Sequence, residues 1–410
     1  MSTIHETTVC IIGAGPAGAS TSIFLGKEKI SHVIVDAAQF PRDKVCGDGL
    51  DMRTIRVLNQ IDPSIFPHEI MKHEGFLPCA GARLIHPSGK NSDFVFPVSQ
   101  EQSYYYPYFT CKRFDFDHFL VKKIDKQYAD LHLGTKVQHI EKTKDGWLLS
   151  ATKGNEAIQI KCKLLVGADG DHSTVLKHLG ERKINRQHYA GSVRQYWKGV
   201  AGMHPNHLIE FYLPPAYPFS YFWIFPLPNG EANVGYIMIS QYAADNNYNI
   251  RKIFLELIAT DPVLAPRFAN ATPTGDVAGW GLPLASLGRK AAGDGWLLVG
   301  DAASLISPTN GEGIGNSMLS GYVAAQFIKK AVAAKRYDEP MFTHYNREIY
   351  KSLQEEIDRY QFFMTKKPAL ASWIVNTLIQ SNGFTRLLFK RMMKKWLHTA
   401  YEKKLVVDTK

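Results

Sequence analysis

Residues 9–20 read VCIIGAGPAGAS, and the fold follows from how that stretch must sit. Thr8–Ile12 is short and apolar, as a buried parallel strand should be. Gly13, Gly15 and Gly18 follow with GxGxxG spacing. Gly13 permits a tight turn, Gly15 lets the backbone approach a pyrophosphate, and Gly18 lets the next helix pack closely on the strand. A helix is predicted over Ala17–Leu25, directly after Pro16, with its first N–H groups facing phosphate. His32–Val35 reads as a second strand ending in Asp36, an acid 18 residues after Gly18 and suited to a ribose hydroxyl.

A chain of 410 residues is too long for one ordinary core, so two domains are expected. Hydrophobic and charged fractions of 45% and 21% are those of a soluble globular protein. No run of about 18 apolar residues occurs, which argues against a membrane span. The N-terminus enters the first strand directly, so no signal peptide is expected. Five cysteines, an odd number without a CxxC pair, argue against disulfides and zinc; no metal is expected, and the location is expected to be reducing and cytoplasmic.

The net charge of +10 is uneven: residues 366–404 hold nine Lys or Arg against one acid, Glu402. Basic and bulky apolar residues alternate there. The segment reads either as a peripheral contact with an anionic membrane face or as a helical cap on the body of the protein. Nucleic acid is disfavoured, because the remaining chain is nearly neutral. Nothing in the sequence sets the oligomeric state.

The organisation is interleaved. Residues 1–75, 110–185 and 276–335 read as one doubly wound α/β nucleotide-binding unit. Within it a helix is expected over Arg113–Lys126, a strand around Leu131–Ile140, and another at Trp296–Val299. Residues 76–109 and 186–275 read as a mostly antiparallel β domain that receives the substrate. Its clearest hairpin is SYFWIFPL, Asn229-Gly230, then EANVGYIMI. Residues 336–410 read as a C-terminal helical segment.

Two further motifs lie far downstream: VGADGDHSTV at 166–175 and LLVGDAASLISPTNGEGIGNSM at 297–318. With the glycine fingerprint they resemble the FAD-binding core of the p-hydroxybenzoate hydroxylase type of flavoprotein. Phe40-Pro41-Arg42-Asp43-Lys44-Val45-Cys46-Gly47-Asp48-Gly49-Leu50, Tyr221–Pro226 and Ala232–Gly235 resemble signatures of its geranylgeranyl reductase branch. The resemblance runs over residues 5–335. It implies an FAD-dependent oxidoreductase that reduces carbon–carbon double bonds of a prenyl-lipid or polyene substrate. The alternative is a monooxygenase or halogenase acting on an aromatic or carrier-bound substrate. The halogenase WxWxI pattern is only partly imitated, because Tyr221 stands where its first Trp would be.

The same resemblance implies FAD contacts. Asp169 and Gly170 lie near the pyrophosphate, Arg113 contacts FAD, and Asp301, after Gly300, bonds the ribityl chain. Pro308, Gly311, Gly313 and Ile314 lead into a helix start aimed at the flavin pyrimidine edge. Lys44, Cys46 and Gly47 sit beside the flavin. The electron donor stays open between NAD(P)H and another reductant. Tyr221, Trp223 and Phe225 alternate along one strand face and could line an apolar slot or form plain core. Cys46, flanked by Lys44, reads as a partly ionised thiol acting as acid or active-site thiol, or as packing beside the flavin.

Overall fold

The computed structural model describes residues 3–96, 106–366 and 387. Apart from Lys366 and Leu387, the basic segment 366–404 lies outside the described residues.

The fingerprint strand runs Thr3–Ile12 and is the middle of a parallel sheet. Glu156–Gly167 pairs with it on one side and His32–Asp36 on the other. Trp296–Leu298 and Ala129–Leu133 extend the sheet outward, both in parallel. Three separate stretches of chain therefore share one sheet. Val9, Cys10 and Ile11 are completely buried, as a strand covered on both faces requires. The first helix, Pro16–Lys27, packs against the long helix Ile314–Ala334. Contact is backbone-close: a Cβ added at Gly321 would lie 2.7 Å from the Ala17 carbonyl oxygen.

Two expected elements come out differently. The strand around Leu131–Ile140 is two strands, Ala129–Leu133 and Thr135–Thr143. Gly134 divides them with φ +70°, which no extended residue adopts, and donates its N–H to the Ala38 carbonyl. The second piece forms an antiparallel hairpin with Gly146–Lys153. The helix from Arg113 stops at Lys122, short of Lys126, where Asp125 accepts from the Gln127 N–H and competes with helical bonding.

The second sheet is mostly antiparallel. Its order is Thr272–Pro273, Tyr189–Lys198, Glu231–Ile239, Ser220–Pro226, Leu208–Tyr212, Gly81–Ile85, Asn91–Val95. Asn229 and Gly230 both have positive φ, the turn that lets Ser220–Pro226 fold back onto Glu231–Ile239. Ala278–Pro283 also joins this sheet, against Tyr189–Lys198, although it lies past the expected boundary at 275. One face is covered by the helix Ile250–Thr260, whose Ile253, Phe254 and Leu257 pack with Phe222 and Tyr236. The other face turns toward the nucleotide-binding sheet.

The described part of the C-terminal segment is helical and docks on the first sheet. Tyr345 donates to the Leu298 carbonyl at 2.8 Å and Tyr350 to that of Ala303 at 2.5 Å. All five cysteines are free. Among the described residues no helix is long and apolar enough to cross a membrane.

The docking generates a test. Tyr345→Phe strands a buried carbonyl and should lower unfolding stability by about 1–2 kcal/mol in urea titration, with flavin content unchanged. An unchanged midpoint would show that the phenol does not hold the segment.

Candidate active site

The three nucleotide motifs meet because their strands are neighbours. Ile12 pairs with Gly167, and Gly167 with Leu298, so each motif begins at the same edge of the sheet. Gly13, at φ +105°, brings its backbone so close to the second motif that a Cβ would lie 2.3 Å from the Ala168 oxygen. A Cβ on Gly18 would lie 1.8 Å from the Gly13 oxygen. Gly300, at φ +61°, abuts Ala17 in the first helix. These three glycines are required by packing.

Gly15 is different. A Cβ there meets only the Arg42 guanidinium, at 3.5 Å, and φ is an ordinary −67°. The space in front of it is open, and no side chain caps the helix that starts at Pro16 and Ala17. Gly170 is equally open. Asp36 accepts from the N–H groups of Ala14 and Ala38, which fixes its carboxylate at the end of its strand. Asp169 uses one oxygen to cap Thr174 and Val175, while its other oxygen is buried without a hydrogen-bond partner. An uncapped helix start, an open glycine edge, a fixed acid and an orphaned carboxylate oxygen fit the phosphates and hydroxyls of a dinucleotide.

Next to this cradle lies a cluster of charged side chains. Arg113 makes a two-pronged ion pair with Asp117, at 2.5 and 2.7 Å, and Arg42 approaches the same carboxylate at 2.9 Å. Lys44 lies 3.4 Å from the centre of the Trp280 ring. Burial, then Arg113, lower Lys44 to about 8, while Asp301 pulls the other way. Burial raises Asp301, against Lys44 and Arg113. Asp301 with Lys44 and Arg113 would hold a polar chain such as ribityl. Pro308, Gly311, Gly313 and Ile314 form the loop and helix start beside it, and Gly313 lies 3.8 Å from Asp301 Oδ1, measured from an added Cβ.

Burial runs against the expectation of a partly ionised Cys46. Burial is the largest influence and pushes the half-buried thiol up, although Arg113 and Lys44 oppose it. Burial therefore favours the protonated thiol, which suits an acid better than a thiolate.

The residues that the sequence left unassigned bind this loop to the second sheet. The Asn233 amide donates to the Cys46 carbonyl at 2.7 Å and to Asp48 at 2.8 Å. Its oxygen accepts from the Trp223 indole at 2.9 Å. Tyr196 also donates to Asp48, at 2.8 Å, and the Arg113 N–H to its other oxygen. Asp48 is fully buried, has φ +60°, and burial pushes it up to about 6. Gly235 completes the arrangement, since a Cβ there would overlap the Trp223 ring at 2.1 Å. The Ala232–Gly235 motif thus clears room for an indole and bonds its N–H.

Tyr221, Trp223 and Phe225 do share one face, joined by Phe211, with neighbouring ring centres 5.3–6.2 Å apart. Trp223 is nearly buried, at 6% exposure, while Tyr221 and Phe225 are partly open. Gly47 and Gly49 lie under Trp223 and Phe225. Tyr221 donates its hydroxyl to the Asn310 carbonyl at 2.6 Å, tying the aromatic face to the Pro308–Gly313 loop.

The FAD binding domain family matches residues 6–332. The chain belongs to this family. It is an FAD-dependent oxidoreductase. It is 28% identical to the menaquinone reductase of Mycobacterium tuberculosis strain H37Rv over 351 residues, covering 85% of this chain and 82% of that one. It is 26% identical to the digeranylgeranylglycerophospholipid reductase of Methanococcus vannielii over 369 residues, covering 87% and 86%. A solved geranylgeranyl bacteriochlorophyll reductase-like protein from Thermoplasma acidophilum superimposes with TM-score 0.77 at 21% identity, over 98% and 97% of the chains. Halogenase PltM in complex with phloroglucinol and FAD shares the fold, with TM-score 0.73 at 17% identity, over 96% and 83%.

Behind the flavoprotein's Pro308–Gly313 loop, three carboxylates surround one guanidinium. Arg53 bonds Glu356 and Asn316 and lies 3.5 Å from Glu312. Asp51 caps the helix Met52–Ile61, and Glu356 accepts from Ser307 and Thr309. Burial, then Asp51, push Glu312 up to about 8, above its usual 4.5.

Two outcomes follow. Gly15→Val should fold with a melting temperature near that of the apoprotein yet lack flavin absorbance, whereas Gly18→Ala should destabilise the fold itself; a yellow Gly15→Val protein contradicts the cradle. For Glu312, the folded state holds a proton that the unfolded chain has lost. Its stabilising effect is full below about 4.5 and is lost as pH rises to about 8. Glu312→Gln should flatten the fall of melting temperature across that window; an unchanged slope would remove Glu312 as its cause.

Proposed function

We propose that the protein uses reduced FAD to saturate carbon–carbon double bonds in an isoprenoid chain carried by a lipid or a quinone. One observation supports this reading most: the aromatic face of Phe211, Tyr221, Trp223 and Phe225 meets the Cys46–Gly49 loop and the Pro308–Gly313 loop at one place. An apolar chain laid on that face would gain aromatic burial and orientation together. The names of the menaquinone and digeranylgeranylglycerophospholipid reductases, both acting on apolar isoprenoid compounds, support the same class.

Reduced FAD, when bound, supplies a hydride to one alkene carbon. The chain's own residues must hold the alkene, exclude water and deliver a proton to the other carbon. Tyr221 has already committed its proton to Asn310. Cys46, kept neutral by burial, has a proton to give. Asn233 holds the Cys46 backbone and Trp223 in fixed relation, so donor and slot keep their register.

The test is anaerobic. Protein reduced with dithionite and freed of excess reductant is mixed with a geranylgeranyl lipid, and flavin reoxidation is followed without oxygen. Reoxidation together with a product heavier by two hydrogens per double bond is expected. Reoxidation only with oxygen, stimulated by an aromatic compound, would instead establish the monooxygenase or halogenase reading. Cys46→Ala should retain FAD and slow anaerobic turnover by about a hundredfold or more, with partial rescue in Cys46→Ser. Equal rates would return Cys46 to packing.

A further inference from the structure

We propose that His5, Asp130 and His132 form a binding site for one divalent transition-metal ion of the zinc class, separate from the flavin site. His5 comes from the start of the first strand, and Asp130 and His132 from one face of the edge strand Ala129–Leu133. His5 Nδ1 lies 3.2 Å and His132 Nε2 2.8 Å from the same oxygen, Asp130 Oδ2. All three donor atoms lie within 4.8 Å of one another, and the two imidazoles meet edge to face at 4.6 Å.

Two features distinguish this cluster from an ordinary pair of surface histidines. Zinc–nitrogen and zinc–oxygen bonds of about 2.0–2.2 Å place tetrahedral ligand atoms about 3.3 Å apart, so small side-chain shifts would admit an ion. The second feature is directional. His132 Nε2 is buried and makes no hydrogen bond, although the carboxylate oxygen is only 2.8 Å away. The short distance therefore reflects crowding of donors around a common point, with the oxygen off the line of a ring N–H. A buried imidazole nitrogen left without a proton partner costs free energy, and a metal would satisfy it.

Two imidazoles and a carboxylate suit zinc, cobalt or nickel better than magnesium or calcium. Three protein ligands leave a fourth position, and the Asp130 side chain, 53% exposed, puts that position at solvent. The bound ion would staple the start of the fingerprint strand to the sheet's edge strand. Five residues after His132, Val137 joins the core that also holds Val9 and Cys10, so the staple acts at the rim of a packed region.

The test uses full-length, untagged protein loaded with FAD and stripped with chelator. Zinc titration by calorimetry should show one ion per chain and a rise in melting temperature. Cobalt should give visible ligand-field bands of a nitrogen- and oxygen-ligated ion. His5→Ala and His132→Ala should each weaken zinc binding by more than about tenfold, and Asp130→Asn less, all with normal flavin absorbance as evidence of folding. If wild type binds no zinc, or the double variant His5→Ala/His132→Ala binds it as tightly, the cluster is a hydrogen-bonded or ion-paired group and the proposal falls.

Discussion

The side-chain amide of Asn233 is the contact on which the arrangement of the site depends. It stands on a central strand of the second sheet and bonds three groups at once: the Cys46 carbonyl, the Asp48 carboxylate and the Trp223 indole. Cys46 and Asp48 belong to the loop beside the nucleotide motifs, and Trp223 to the aromatic face. The bonds to Asp48 and Trp223 are buried, where a broken hydrogen bond leaves a partner unsatisfied at about 1–3 kcal/mol each. The two sheets are thus held in register by directional bonds as well as by apolar contact. The positive φ of Asp48 follows from the same demand, since its carboxylate must face Tyr196 and Asn233 while its carbonyl accepts from Cys111.

Two mechanical consequences come from that junction. The Cys46 backbone is held in register with Trp223, because one amide bonds both. The Pro308–Gly313 loop is tied to the same face through Tyr221, and to the C-terminal helix Gln354–Tyr360 through Glu356. Tyr360 reaches across to the Gln187 carbonyl and packs in the apolar cluster with Trp223 and Ile306. Reductases and halogenases share this fold, so the fold alone does not choose the chemistry. The continuous aromatic face is what fits the proposed apolar chain substrate.

The fingerprint was legible because its constraints are local. Strand, Gly13, Gly18, helix and Asp36 follow one another within about thirty residues, and each glycine has a nearby atom that forbids a side chain. The hairpin at Asn229-Gly230 was legible for the same reason. The break at Gly134 was hidden, because a single glycine within an alternating run does not reveal its φ. Ala278–Pro283 was misplaced because its pairing partner, Tyr189–Lys198, lies far upstream. Asp48 and Asn233 were visible inside motifs, but their bond joins residues 185 apart and no local pattern encodes it. The His5 cluster was likewise out of reach, since spacing along one strand shows only two of its three members. For the Cys46 thiol, the sequence shows the adjacent Lys44 but not the burial that acts against it, which is a tertiary property.

The most direct measurement is a crystal structure of the protein grown with FAD and soaked with a geranylgeranyl chain. The isoalloxazine should lie between the Cys46–Gly47 backbone and the Pro308–Gly313 loop, with the ADP half along Gly15 and Asp36. The chain should lie against Tyr221, Trp223 and Phe225, one double bond facing the flavin and within reach of Cys46 Sγ. A flavin seated there with the chain bound elsewhere, or an aromatic face that stays closed around the bound flavin, would contradict the account.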